Sequence, residues 1–264
     1  MQIRIADYHR GMSAQVILVH GLRTSATMWR RQVEMLEARG IRATAIDLPG
    51  HGRRMDERFS RDGALAAIGD AVADSTATTG VAPYLVGFSL GGYMAIEWTA
   101  EHSREVSGLL AASCGTVPGR MVIDGWRILA KGIHAFPDRG RRLNDFALRI
   151  FVAREGARDV LAGGVALEVM GDALRVIREL RPLRSLSAIY VPVLFVNGRF
   201  DHIGLHAARF LAGTRNARLV TVPRATHMVS VTHPVEFLDA LLGGYAETTA
   251  TPRRPQLPDK ASDW

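Results

Sequence analysis

The stretch Tyr84-Leu85-Val86-Gly87-Phe88-Ser89-Leu90-Gly91-Gly92 decides how this chain is read. Residues 83–87 are an apolar run of strand type, and from Ser89 to about Glu101 the pattern turns helical. Gly87, Ser89 and Gly91 between them form Gly-x-Ser-x-Gly. A turn this sharp from strand to helix holds its central residue in strained backbone geometry, and small residues two positions either side avoid the clash. The serine hydroxyl is then presented at the carboxyl edge of a sheet. The helix N-terminus behind it offers N–H donors and a positive dipole end to an anion. A chance glycine-serine turn is the competing reading in a chain with 26 glycines, and the strand and helix flanks count against it.

Working outward, short apolar runs alternate with helical patterns. Residues 15–20, 41–47, 106–111, 191–197 and 217–222 read as further strands. Residues 29–38, 64–78, 200–211 and 234–242 read as helices, the last opened by Pro234 at a first-turn position. Nearly continuous apolar strands between helices indicate a parallel sheet covered on both faces. Residues 117–187 show helical patterns and no strand, which suggests an inserted segment. Pro252, Pro255 and Pro258 sit in a polar tail, 247–264, expected to be disordered.

Four motifs in one order now carry a resemblance. They are Val19-His20-Gly21 after the first strand, Asp47-Leu48-Pro49-Gly50-His51-Gly52 after the second, the Ser89 turn, and a late acid followed by a late histidine. Over about residues 15–244 the chain resembles the α/β-hydrolase-fold proteins, of the lid-bearing serine esterase and haloperoxidase-like kind. The resemblance implies a mostly parallel sheet of about seven to eight strands with helices on both faces. It implies a core from 1–116 and 188–246 and a helical lid at 117–187.

It also implies roles. Ser89 is the nucleophile and His227 the base. Asp201, just after the strand 191–197, is the acid that fixes the imidazole tautomer. The oxyanion is received by the backbone N–H groups of Leu90 and Leu22. His233 is the rival base, but it stands before a proline at a helix start. Thr226 departs from the glycine that many family members carry before the histidine, which affects loop packing. Arg23, Phe88, Met228 and Trp126 are the candidate substrate contacts, Arg23 as a carboxylate anchor that competes with a solvated loop arginine. Met28 and Trp29 are weaker pocket candidates; Trp29 is expected to pack its helix.

The implied function is serine-dependent hydrolysis of a carboxylic ester, thioester or lactone through an acyl-enzyme. A serine at the turn argues against the dehalogenase and epoxide-hydrolase branches, which carry aspartate there. Resemblance to the menaquinone-pathway lyase branch is weaker, because Tyr93 stands where that branch usually has arginine. Other triad chemistries stay open: cofactor-free haloperoxidation, carbon–carbon bond hydrolysis, acyl transfer, or a non-catalytic binding protein of the same fold.

Composition narrows the class. The chain has 264 residues, 47% of them hydrophobic and 22% charged, which excludes a disordered or fibrous protein. One cysteine, Cys114, excludes an internal disulfide and a multi-cysteine metal site. No metal and no cofactor are expected. No apolar run is long enough to span a bilayer and no signal peptide is read at the N-terminus, so a cytoplasmic protein is expected. The net charge is +7, and 31 of the 33 basic residues are arginine. The 117–187 stretch alone carries 13 basic and 8 acidic residues. No basic run reaches five residues, so a small-molecule substrate and no specific nucleic acid are expected.

Overall fold

The computed structural model describes residues 14–249. Six strands form one parallel sheet in the order β2-β1-β3-β4-β5-β6. These are β1 (Val16–Val19), β2 (Ala43–Ile46), β3 (Tyr84–Phe88), β4 (Gly108–Ala112), β5 (Val193–Gly198) and β6 (Ala217–Val222). The expected seven to eight strands are thus corrected to six among the described residues. Any strand before Ala14 would lie outside them.

Side chains alternate across the sheet with the strand period of two. Ile17, Val19, Leu85, Leu109 and Phe195 join the core on one face. Val16, Leu18, Val86, Leu110 and Val196 join the core on the other. Both faces being dry explains why the central strands are apolar without a break. The first face is covered by α2 (Arg61–Thr79) and α3 (Leu90–His102), the second by α1 (Arg30–Glu37) and α11 (Pro234–Thr249). Ser60 starts α2 by accepting Gly63 N–H at 3.1 Å, and Gly80 ends it in the left-handed region.

Five helices stand between β4 and β5: α4 (Arg120–His134), α5 (Arg141–Phe151), α6 (Arg154–Ala162), α7 (Met170–Glu179) and α8 (Pro182–Ala188). The short helices α9 (Ala207–Ala212) and α10 (Val229–Thr232) flank β6. Two expectations change here. Residues 200–206 are a loop instead of helix, because Asp201 turns the chain by accepting Ile203 N–H at 2.8 Å. The last helix continues past Leu242 through Gly243 and Gly244 to Thr249, overlapping the stretch expected to be disordered. A Cβ on Gly244 would collide with the Tyr84 hydroxyl, so this glycine serves close packing and does not stop the helix. Residues 250–264 lie outside the described residues.

Because β1 sits between β2 and β3, the chain turns outward from one side of β1 and returns on the other. The crevice at the carboxyl ends of strands at such a switch point is where open α/β sheets place their sites. Two buried histidines shape it. Leu48 N–H donates to His20 Nε2 at 3.0 Å, and His20 Nδ1 donates to Gly21 O at 2.8 Å. Burial, with the nearby His51 ring, pushes His20 down to about 3. Burial also lowers His51.

A histidine neutral in the fold and protonated when unfolded makes stability fall on acidification. The contribution is complete above about pH 6.5 and is lost as pH falls toward 3. His20 alone contributes a slope of about 1.4 kcal/mol per pH unit in that window. Urea unfolding at pH 7.5, 6.5, 5.5 and 5 should show this slope, and His20→Gln should flatten it. A wild-type stability unchanged from pH 6.5 to 5 would contradict the assignment.

Candidate active site

Ser89 occupies the turn between β3 and α3 with φ 51° and ψ −113°. Such geometry costs about 1–3 kcal/mol and survives only where its surroundings enforce it. Here they do: Ser89 N–H donates to Ala112 O at 2.8 Å and Tyr93 N–H to Ser89 O at 3.1 Å. A Cβ on Gly87 would collide with the Gly91 carbonyl, and one on Gly91 with the His20 carbonyl. The two glycines of the motif are therefore close-approach positions, and helix α3 is seated directly over β3 and the loop after β1.

His227 is brought to Ser89 by the loop after β6. Its Nε2 lies 3.1 Å from Ser89 Oγ and its Nδ1 2.9 Å from Asp201 Oδ1. The β5 and β6 loops meet because Gly198 carries no side chain; a Cβ there would strike the Thr226 and Ala225 carbonyls. Phe200 N–H, donating to Ala225 O at 2.9 Å, ties them together. It is the Thr226 backbone carbonyl that packs against Gly198, while the residue itself is exposed. The Asp201 side chain is fully buried. Burial pushes its carboxyl up, but the hydrogen bond and charge of His227 and the Ile203 N–H outweigh this, and the carboxyl titrates below its ordinary value. It is held as a carboxylate, the form that orients an imidazole.

The loop after β1 is fixed by the Asp47 motif. Asp47 Oδ1 accepts Ala26 N–H at 2.7 Å and Oδ2 accepts Arg53 N–H at 3.1 Å. Gly52, at φ 56°, leaves room for that carboxylate. Leu22 is thereby set at the cavity wall beside Leu90, the first residue of α3. A first-turn N–H has no acceptor within its own helix. Leu22 N–H makes no hydrogen bond among the described residues.

Ser89, His227, Leu22 and Leu90 line one cavity of about 270 Å³, together with Arg23, Phe88, Trp126 and Met228, while Asp201 stands behind His227 and does not line it. All four residues expected to contact substrate are therefore at its wall. Helices α4 and α7 add Met170, one of the apolar residues the 117–187 stretch carries, and Leu129, Ile133, Leu174 and Ile177, which sequence reading did not single out. Met28 and Trp29 do not line it. Trp29 is buried against Phe88 and Phe237, and Met28 accepts a Thr24 hydroxyl contact at 3.2 Å. His233, the rival base, contacts Thr232 Oγ1 at the start of α11 and is absent from the cavity wall. Cys114 is buried beside Gly92, and burial pushes its thiol up, so it is a packing residue. Tyr93 donates to Thr116 O at 2.6 Å and burial pushes its phenol well up, leaving it neutral. A larger groove of about 530 Å³ beside β2 contains no histidine or cysteine.

One supporting residue was missed. Ser113, at φ 53° after β4, donates through Oγ to His227 O at 2.8 Å and through N–H to Asn197 Oδ1 at 3.1 Å. It ties the base loop to β5. A lone serine after a strand carries no pattern that would have marked it.

Known proteins resemble this chain over nearly its whole length. The family model described as the alpha/beta hydrolase family matches residues 16–240. A pimeloyl-acyl-carrier-protein methyl ester esterase of Chromobacterium violaceum is 30% identical over 261 residues, covering 88% of this chain and 94% of that protein. Among solved structures, a putative non-heme bromoperoxidase of Mycobacterium tuberculosis aligns with a TM-score of 0.72 at 18% identity, covering 90% of this chain and 94% of the other. A thermophilic esterase of Thermogutta terrifontis aligns with a TM-score of 0.72 at 19% identity, covering 90% and 91%. No helix among the described residues is long and apolar enough to cross a membrane. The chain is a hydrolase and belongs to the alpha/beta hydrolase family.

Proposed function

We propose that the chain hydrolyses a carboxylic ester through an acyl-enzyme on Ser89, with His227 as base and Asp201 as its orienting acid. The observation that carries this reading is the unbroken hydrogen-bond chain from Ser89 Oγ through His227 to Asp201 Oδ1, at 3.1 and 2.9 Å. A serine hydroxyl is a weak nucleophile without such a base. His227 Nε2 takes the Ser89 proton as Oγ attacks the ester carbonyl. The proton is then given to the departing alcohol, and an acyl-serine remains. Water, activated by the same nitrogen, releases the acid and restores the serine. The oxyanion of each tetrahedral intermediate lies against the Leu22 and Leu90 N–H groups, where one donor is worth about 3 kcal/mol in the barrier.

The methyl ester esterase named among the relatives favours an ester over a thioester or lactone. Phe88, Met228 and Trp126 are assigned to the ester's apolar part, and α4–α8 to a lid over it. The triad needs no metal or organic cofactor.

Turnover of p-nitrophenyl acetate and butyrate tests this. Wild type should turn over both. Ser89→Ala should lose about 10⁶-fold of kcat, and Asp201→Asn about 10⁴-fold, through the wrong imidazole tautomer. Equal rates for wild type and Ser89→Ala would sink the acyl-enzyme. Trp126→Ala should lower kcat/KM for the butyrate by about fivefold, roughly 1 kcal/mol of lost apolar contact, and for the acetate by less. An equal loss on both esters would remove Trp126 from the acyl pocket.

A further inference from the structure

Arg23 follows Leu22 directly and reaches into the catalytic cavity. Its Nε and Nη2 are enclosed by protein and have no hydrogen-bond partner among the described residues. Enclosed guanidinium nitrogens without acceptors are costly, and such groups are nearly always paired in a functioning state. The other polar side chains at the wall are largely accounted for. Ser89 and His227 hold each other, Tyr93 holds Thr116, the Thr24 hydroxyl donates to Gly21 O at 2.8 Å, and His202, also at the wall, lies tilted against the His227 ring with centroids 5.2 Å apart. Among the described residues no Asp or Glu lines the cavity. Asp145 favours the charged guanidinium from a distance without a hydrogen bond or ion pair to it. The rest of the wall is mainly apolar, so the positive charge faces a space that supplies it no counterion. Arg23 also sits at φ 65°, a conformation a non-glycine residue adopts at a cost.

Resting on the ester-hydrolase reading above, we propose that Arg23 is the anion anchor of this pocket and that the natural ester carries a carboxylate. A guanidinium pairs with a carboxylate through charge-assisted hydrogen bonds, two of them parallel once the side chain swings its enclosed Nε and Nη2 toward the anion. The cavity, about 270 Å³, is small for a ligand site, which suits a short half-ester of a dicarboxylic acid. One end of such a molecule is neutral and reacts at Ser89; the other is charged and held by Arg23.

The probes are monomethyl glutarate, an anion, and dimethyl glutarate, its neutral counterpart. Binding is measured by calorimetry on Ser89→Ala protein, which cannot consume them. The anion should bind roughly 10- to 100-fold tighter than the diester. Adding Arg23→Gln should erase the difference. Arg23→Lys, which keeps the charge without the fork, should retain part of it. Melting curves of each variant verify that it is folded. Equal affinity for the two probes, or a preference that survives Arg23→Gln, would overturn the anchor. The two readings separate cleanly. An anion preference with no ester turnover by wild type supports the anchor and sinks the hydrolase. Turnover of p-nitrophenyl butyrate without an anion preference does the reverse.

Discussion

The backbone turn at Ser89 is the constraint on which the rest of this structure depends. A residue at φ 51° and ψ −113° is unfavourable by itself. It is enforced by β3 on one side, by α3 on the other, and by glycines at 87 and 91 that let backbone meet backbone. The sheet is dry on both faces so that β3 can be rigid. The same turn lifts Ser89 Oγ above the carboxyl edge and leaves the Leu90 N–H at the mouth of a helix. Rigidity and chemistry come from one local conflict between what the chain prefers and what its packing allows.

Three loops then converge on that serine, each by a different device. The loop after β1 is tied by the Asp47 carboxylate and by the neutral His20 ring, which accepts Leu48 N–H. The loops after β5 and β6 meet at Gly198 and are cross-linked by Phe200 N–H, while Ser113, after β4, bridges them with its hydroxyl on His227 O and its N–H on Asn197 Oδ1. Few of these contacts touch the space where substrate would lie. Their effect is to remove freedom from His227, Asp201 and Leu22, the groups that the proposed mechanism assigns as base, acid and oxyanion donor.

The parts legible in the sequence are those where backbone geometry dictates residue type. Gly87, Ser89 and Gly91 announce the turn, Gly50 and Gly52 the Asp47 loop, and the unbroken apolar strands announce a sheet buried on both sides. Asp201 and His227 were candidates through the family's motif order, and the structure brings their side chains within hydrogen-bond distance of each other and of Ser89. Less legible were the residues whose role is a relation in space. Ser113 looks like any polar residue after a strand. Leu129, Ile133 and Met170 share a helical period with core residues, so pattern alone does not say which apolar face meets a cavity. The helix expected to end at 242 runs on through Gly243 and Gly244, and Gly244 admits the Tyr84 hydroxyl. The Asp201 turn unwound a stretch that periodicity made helical. Arg23 was visible as a candidate, but its enclosure without partners was not.

Capture of the nucleophile tests the central claim, that the enforced turn makes Ser89 the single activated hydroxyl of the chain. Incubation with a small alkyl p-nitrophenyl phosphonate, followed by intact-mass and peptide mass spectrometry, reads it directly. The account predicts one adduct per chain, on Ser89, absent from Ser89→Ala and formed at least about 10³-fold more slowly by His227→Ala. Labelling at another residue, or an undiminished rate in His227→Ala, would contradict it.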